Sequence, residues 1–152
     1  MARSITTAYN TAIKAQNVVP FFAVSLAFNT GTLYLWNGYG DISLTAGGST
    51  NTYTGLGDAA GVSPIDEQSL IQASGANLVL NGVKSSLIST ALSAQYTNRD
   101  GKIFLGLFDT SKNVIADVYT LFIGKMDVMI IRETGETCTI ELKLENRLIA
   151  LE

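Results

Sequence analysis

TCTIELKL, Thr137 to Leu144, is the stretch that decides the fold. Cys138, Ile140, Leu142 and Leu144 alternate with Thr139, Glu141, Lys143 and, one step on, Glu145. Successive side chains of a strand point to opposite faces, so this alternation reads as a β-strand with one packed face and one solvated or shared face. The turn residues Glu133-Thr134-Gly135-Glu136 precede it, and Met126 to Ile131 stands on their other side, which predicts a hairpin. Ile103 to Phe108, the polar turn Asp109 to Asn113, and Val114 to Ile123 predict a second hairpin just upstream.

The pattern extends toward the N-terminus. Ala76 to Leu80 (ANLVL) and Glu67 to Ala73 read as strands broken at Gly75, with Leu78 and Leu80 on one face. Seven of the chain's 14 glycines fall between Gly38 and Gly61, which excludes regular helix and predicts short strands, Ile42 to Leu44 and Thr52 to Thr54, joined by tight turns. Phe22, Val24, Leu26 and Phe28 alternate after Pro20 and predict a strand with one buried face, followed by a turn at Asn29-Thr30-Gly31 and an extended Thr32 to Trp36. Two segments carry helical spacing instead: Arg3 to Gln16, with Ile5, Tyr9, Ala12 and Ile13 on one face and Ser4 as a cap, and Lys84 to Gln95, with Leu87, Ile88, Ala91 and Leu92. Residues 1–152 therefore read as a single mainly β domain, a barrel or sandwich with one or two short peripheral helices, the first over about residues 3–16.

Composition narrows the function classes. The 152 residues are 47% hydrophobic and only 15% charged, with a mean hydropathy of +0.25, so little charge is available to wet the exterior and much of that exterior is expected to face other subunits. The longest apolar stretch, Val18 to Phe28, is about half the length of a bilayer span and contains Pro20, which argues against membrane insertion. It lacks the basic start and small-residue cleavage site of a secretory leader. A net charge of −3 and an isoelectric point near 4.9 give no footprint for gripping phosphates. The lone Cys138 has no disulfide partner within the chain and suits a reducing cytosol, as a buried core thiol.

The chain has no histidine. That removes the Ser-His-Asp and Cys-His arrangements and nearly every zinc site. The carboxylates Asp41, Asp58, Asp66, Glu67, Asp109, Asp117 and Asp127 are available for a paired-carboxylate or calcium site, but aspartate in a turn ordinarily bonds its own backbone. No metal and no cofactor is expected. Gly55-Leu56-Gly57-Asp58-Ala59-Ala60 meets the spacing G-x-G-x-x-A, yet Pro64 follows and no helix begins, so it reads as a chance match.

LYLWNGYGDI, Leu33 to Ile42, gathers Tyr34, Trp36 and Tyr39 around Gly38 and Gly40. The functional reading is a carbohydrate- or peptide-binding platform of Trp36 and Tyr39; the structural reading is a β-corner whose aromatics pack, with Tyr34 and Trp36 on one face and Tyr39 over the corner. A subunit contact is a further use for such anchors.

A resemblance bears on these alternatives. LYLWNGYGDI, TYTGLGDAAGVSPIDE (Thr52 to Glu67), ASGANLVLNGV (Ala73 to Val83), DTSKNVIADVYTLFIGKMDVM (Asp109 to Met129) and ETCTIELKLENRLIALE (Glu136 to Glu152) are collinear over Thr32 to Glu152. In that order they resemble the distal tail proteins of tailed phages and gene-transfer particles, the hub or baseplate group with a tail-tube-like β-barrel. The resemblance implies a virion structural protein and not an enzyme: a ring of copies around the tail axis, joining the tail tube to the tip or receptor-binding proteins, assembled in the host cytoplasm. DNA would pass through a mildly acidic lumen without specific binding. Proteins of this kind often continue past the segment matching NRLIALE, and no catalytic residue carries over. The strand Thr137 to Leu144 and the hairpin Ile103 to Ile123 are the expected packing elements between neighbours, with Trp36, Tyr39, Tyr119, Phe122 and Met126 as subunit-interface candidates.

Overall fold

The computed structural model describes residues 5–15, 17–57, 60–62, 75–84, 95–115, 118–133 and 135–146. The expected strand Glu67 to Ala73 and nearly all of the expected helix Lys84 to Gln95 lie outside them. Among the described residues one helix, α1 (Thr7–Ile13), is followed by nine strands: β1 (Val19–Phe28), β2 (Gly31–Trp36), β3 (Asp41–Ala46), β4 (Ser49–Gly55), β5 (Ala60–Val62), β6 (Ala76–Lys84), β7 (Asp100–Phe108), β8 (Tyr119–Glu133) and β9 (Thr137–Asn146). They form one mixed sheet in the order β3-β4-β2-β1-β7-β8-β9-β6-β5. The protein is mainly β, as the sequence predicts.

The sheet is not closed into a barrel among the described residues: β3 and β5 end it and do not pair with each other. On β3, a backbone bond from Val118 N to Thr45 O at 3.3 Å ties its outer side to the approach of β8. Of the expected barrel or sandwich, the barrel is thus corrected to an open sheet among the described residues.

Strand β9 behaves as its alternation dictates. Cys138, Ile140, Leu142 and Leu144 are buried, and the intervening side chains are turned toward solvent. They meet Leu78 and Leu80 of β6, Val24, Leu26 and Phe28 of β1 and Leu35 of β2 in one core cluster. Burying such a Leu or Ile side chain is worth about 1.5–3 kcal/mol before entropy is subtracted.

A second cluster, Phe21, Ala23, Trp36, Leu44, Tyr53, Phe104 and Val118, packs on the other face of the central strands. Strand β1 therefore has two buried faces, not one: Phe21 and Ala23 enter the second cluster while Val24, Leu26 and Phe28 enter the first. It lies between β2 and β7, with Ala23 opposite Trp36 and Phe104, so covering layers reach both its sides.

Two further expectations are revised. Val114 to Ile123 and Met126 to Ile131 are not separate strands; β8 runs unbroken from Tyr119 to Glu133 and serves both hairpins. Gly124 lies inside it because a Cβ there would fall 2.4 Å from the carbonyl oxygen of Glu145. In α1 the Thr6 hydroxyl caps Tyr9 N at 3.3 Å, the expected cap Ser4 lying outside the described residues; only Tyr9 is buried, its hydroxyl donating to Leu105 O at 3.1 Å, while Ile5 and Ile13 are exposed.

Candidate functional site

The corner Leu33 to Ile42 is built by backbone packing. Trp36 donates its indole N–H to Gly40 O at 2.8 Å. The same carbonyl accepts from Gly55 N, while Leu56 N donates to Trp36 O and Gly57 N to Gly38 O, each at 2.9 Å. The successive amides of Gly55, Leu56 and Gly57 are therefore spent on the corner, and none is turned out to cradle a phosphate. A Cβ at Gly55 would lie 2.2 Å from Gly38 O, so this glycine serves close approach of two backbone segments.

Trp36 packs edge-on to Phe21 (5.8 Å between centroids) and to Phe108 (6.0 Å), and Tyr34 packs on Tyr53 at 5.1 Å. Burial, with the neighbouring Tyr34 second, pushes the Tyr53 phenol up to about 12. Of the corner's aromatics, Trp36 and Tyr34 pack with the core rings, whereas Tyr39 is exposed. One side of Trp36 reaches a cleft of ≈680 Å³ whose other apolar walls are Val19, Ile42 and Phe108 and whose rim carries Asn17, Asp109, Thr110 and Lys112.

Asp109 is occupied by its own turn. Its Oδ1 accepts from Ser111 N and Asn113 N, both at 2.8 Å, and its Oδ2 from the Asn113 side-chain amide at 3.3 Å. The Asn113 backbone bond, ahead of the others, holds this carboxyl below its ordinary range. Among the described residues no three metal-ligating side chains converge. Asp58, Asp66, Glu67 and Asp117 lie outside the described residues.

The five interface candidates separate sharply. Tyr39 is 76% exposed, its ring lying over Gly57, and Tyr119 is half-buried beside Tyr9 at 6.2 Å. Trp36 and Phe122 are buried, and Met126 is 0% exposed in the first core cluster. Phe122 and Met126 thus belong to the first core cluster of the chain itself. A register shift follows in β8, between Met126 and Met129. Even-numbered Phe122 and Met126 face inward before it; beyond it odd-numbered Met129 and Ile131 pack on the core and even-numbered Val128 and Ile130 turn outward, 49% and 45% exposed.

Val128 and Ile130 are surface residues that the alternation alone assigned to neither face. The available signal was the apolar residues of MDVMII at both parities, which leaves at least one apolar pair outward. They sit beside Glu141 and Lys143 of β9 around a recess of ≈420 Å³. Cys138 donates its thiol to Val83 O at 3.1 Å, and burial, then the charge of Glu133, pushes its pKa up. It is a core thiol.

Among the described residues no helix is long and apolar enough to cross a membrane. The chain matches no family model and no curated protein sequence.

Proposed function

We propose that this protein is a structural component of a phage-type tail, forming part of a ring at the distal hub or adaptor level that connects the tail tube to tip or receptor-binding proteins, with no reaction of its own. The observation that carries this reading is the open, mainly β sheet that leaves apolar side chains outward: Val19, Tyr39, Val128 and Ile130 are all exposed on a chain of which only 15% is charged. Sheet edges and apolar faces of this kind are hidden when copies close around an axis. The collinear segments from Thr32 to Glu152 support the same reading. In finer detail, this reading takes the single sheet with its two core clusters as a sandwich-like, tail-tube-like domain. The test is immunogold labelling of isolated particles with an antibody against this chain, which places gold at one end of the tail; particles without label, beside free protein in the host cytoplasm, overturn it.

A second reading, capture of a carbohydrate or peptide, has one observation in its favour: Trp36 lines the ≈680 Å³ cleft. Tyr39 lies over Gly57 and is not part of the cleft lining, so a joint Trp36–Tyr39 platform is replaced by Trp36 with Phe108. Trp36 emission titrated with a glycan and peptide panel tests it, and an unchanged spectrum throughout removes it.

A further inference from the structure

We propose that the outward face of β8, β9 and β6 packs against the same face of a second copy of this chain, about a two-fold axis that crosses β9 at Leu142. The inference concerns this face alone and does not rest on the tail reading.

The face has an apolar strip set among charges. Across the strands, Val79 and Ile130 flank Glu141 and Asn77 pairs with Lys143, while Val128 lies in the register shift of β8 and lines the same recess as Lys143. Its charges are held in place within one chain: Arg132 bonds Glu141 at 2.7 Å, and Lys143 bonds Glu145 at 3.2 Å and Asp127 at 3.5 Å. Along β9 the outward sequence is thus minus, plus, minus at Glu141, Lys143 and Glu145. A solvated sheet face ordinarily places polar residues where Val128 and Ile130 stand.

Charge selects both the partner and the geometry. Two sheets stack face to face about 10 Å apart with their strands roughly aligned. A two-fold axis running along β9 lays Glu141 on Glu141 and Lys143 on Lys143 of the second copy, which is repulsive. An axis perpendicular to the strands at Leu142 lays Glu141 on the second copy's Lys143 and Lys143 on its Glu141. The same rotation brings Ile130 over the second copy's Val128 and Val79 over its Asn77, so the apolar pairs of β8 coincide when the charges are satisfied. Shifting the axis to Leu144 keeps a Lys143–Glu145 match but moves Val79 and Ile130 off their partners. At the rim, Thr139 comes over the second copy's Glu145 and Arg132 over its Lys125, whose charge Asp100 neutralises at 2.9 Å. An interface of this kind is isologous: one patch, used twice.

Two single variants and their mixture test it by sedimentation at low ionic strength. Glu141→Lys leaves two lysines facing two lysines, and Lys143→Glu leaves glutamates facing glutamates, so each alone weakens self-association on the order of tenfold or more. Mixed in equal amounts they form a mixed pair in which both contacts are again opposite in sign, and wild-type association returns. Recovery in the mixture also demonstrates that both variants fold. Ile130→Asp abolishes association whether mixed or not. A mixture that sediments as the sum of its parts, variants that associate as the wild type does, or a wild type that stays monomeric at about 100 µM overturns the proposal.

Discussion

The ring of Trp36 lies so close over Gly38 that a Cβ at that glycine would sit 2.0 Å from it. The ring is anchored there, because its N–H is held by Gly40 O and its edges pack on Phe21 and Phe108. Gly38→Ala is expected to cost about 1–3 kcal/mol through overpacking. Urea unfolding measures the loss, and the same substitution in a Trp36→Leu background, where the ring is gone, is expected to cost well under half as much. Equal costs in the two backgrounds contradict this contact.

Met126 is enclosed by the first core cluster, so Met126→Ala removes buried apolar volume and is expected to destabilise by about 2–5 kcal/mol without altering the oligomeric mass. Unfolding midpoints and light scattering on the same samples check both parts. A changed mass with unchanged stability returns Met126 to the interface.

The unequal legibility of the chain has a physical pattern. Strand β9 was readable because only one of its faces is buried, so polarity and burial coincide residue by residue. Strand β1 was half readable: Phe22, Val24, Leu26 and Phe28 show the period, but Phe21 and Ala23 are buried too, and a fully covered strand loses the contrast that marks a face. In β8 the register shift between Met126 and Met129 reverses the inward parity; apolar residues at both parities of MDVMII signal that some turn outward but not which. The core role of the corner at Trp36 was one of two readings the sequence offered, whereas the bonds from Gly55, Leu56 and Gly57 that fix it come from residues about 20 positions away, beyond the reach of local pattern.

Tyr53 gives a pH dependence with a definite sign. Its phenol ionises near 10 when unfolded and near 12 in the fold, so the native state holds its proton more tightly. Its contribution to stability is fully present below pH 10 and is lost as pH rises from 10 toward about 12. Tyr53→Phe is expected to flatten the decline of the melting temperature over that window, and tyrosinate absorbance shows one late-titrating phenol disappear. An unchanged decline rejects the assignment.

Cys138 is expected to resist a maleimide reagent in the native protein, at least about a thousandfold relative to urea-unfolded chain, because labelling must await opening of the core. Labelling of native protein at the unfolded rate contradicts the placement of β9.

The central claim is that this chain works as one of several copies joined through its apolar surfaces. The most direct measurement is the mass of the purified protein by light scattering across a hundredfold range of concentration. The account predicts a defined multiple of the chain mass that persists on dilution to the micromolar range. A single-chain mass at every concentration contradicts it.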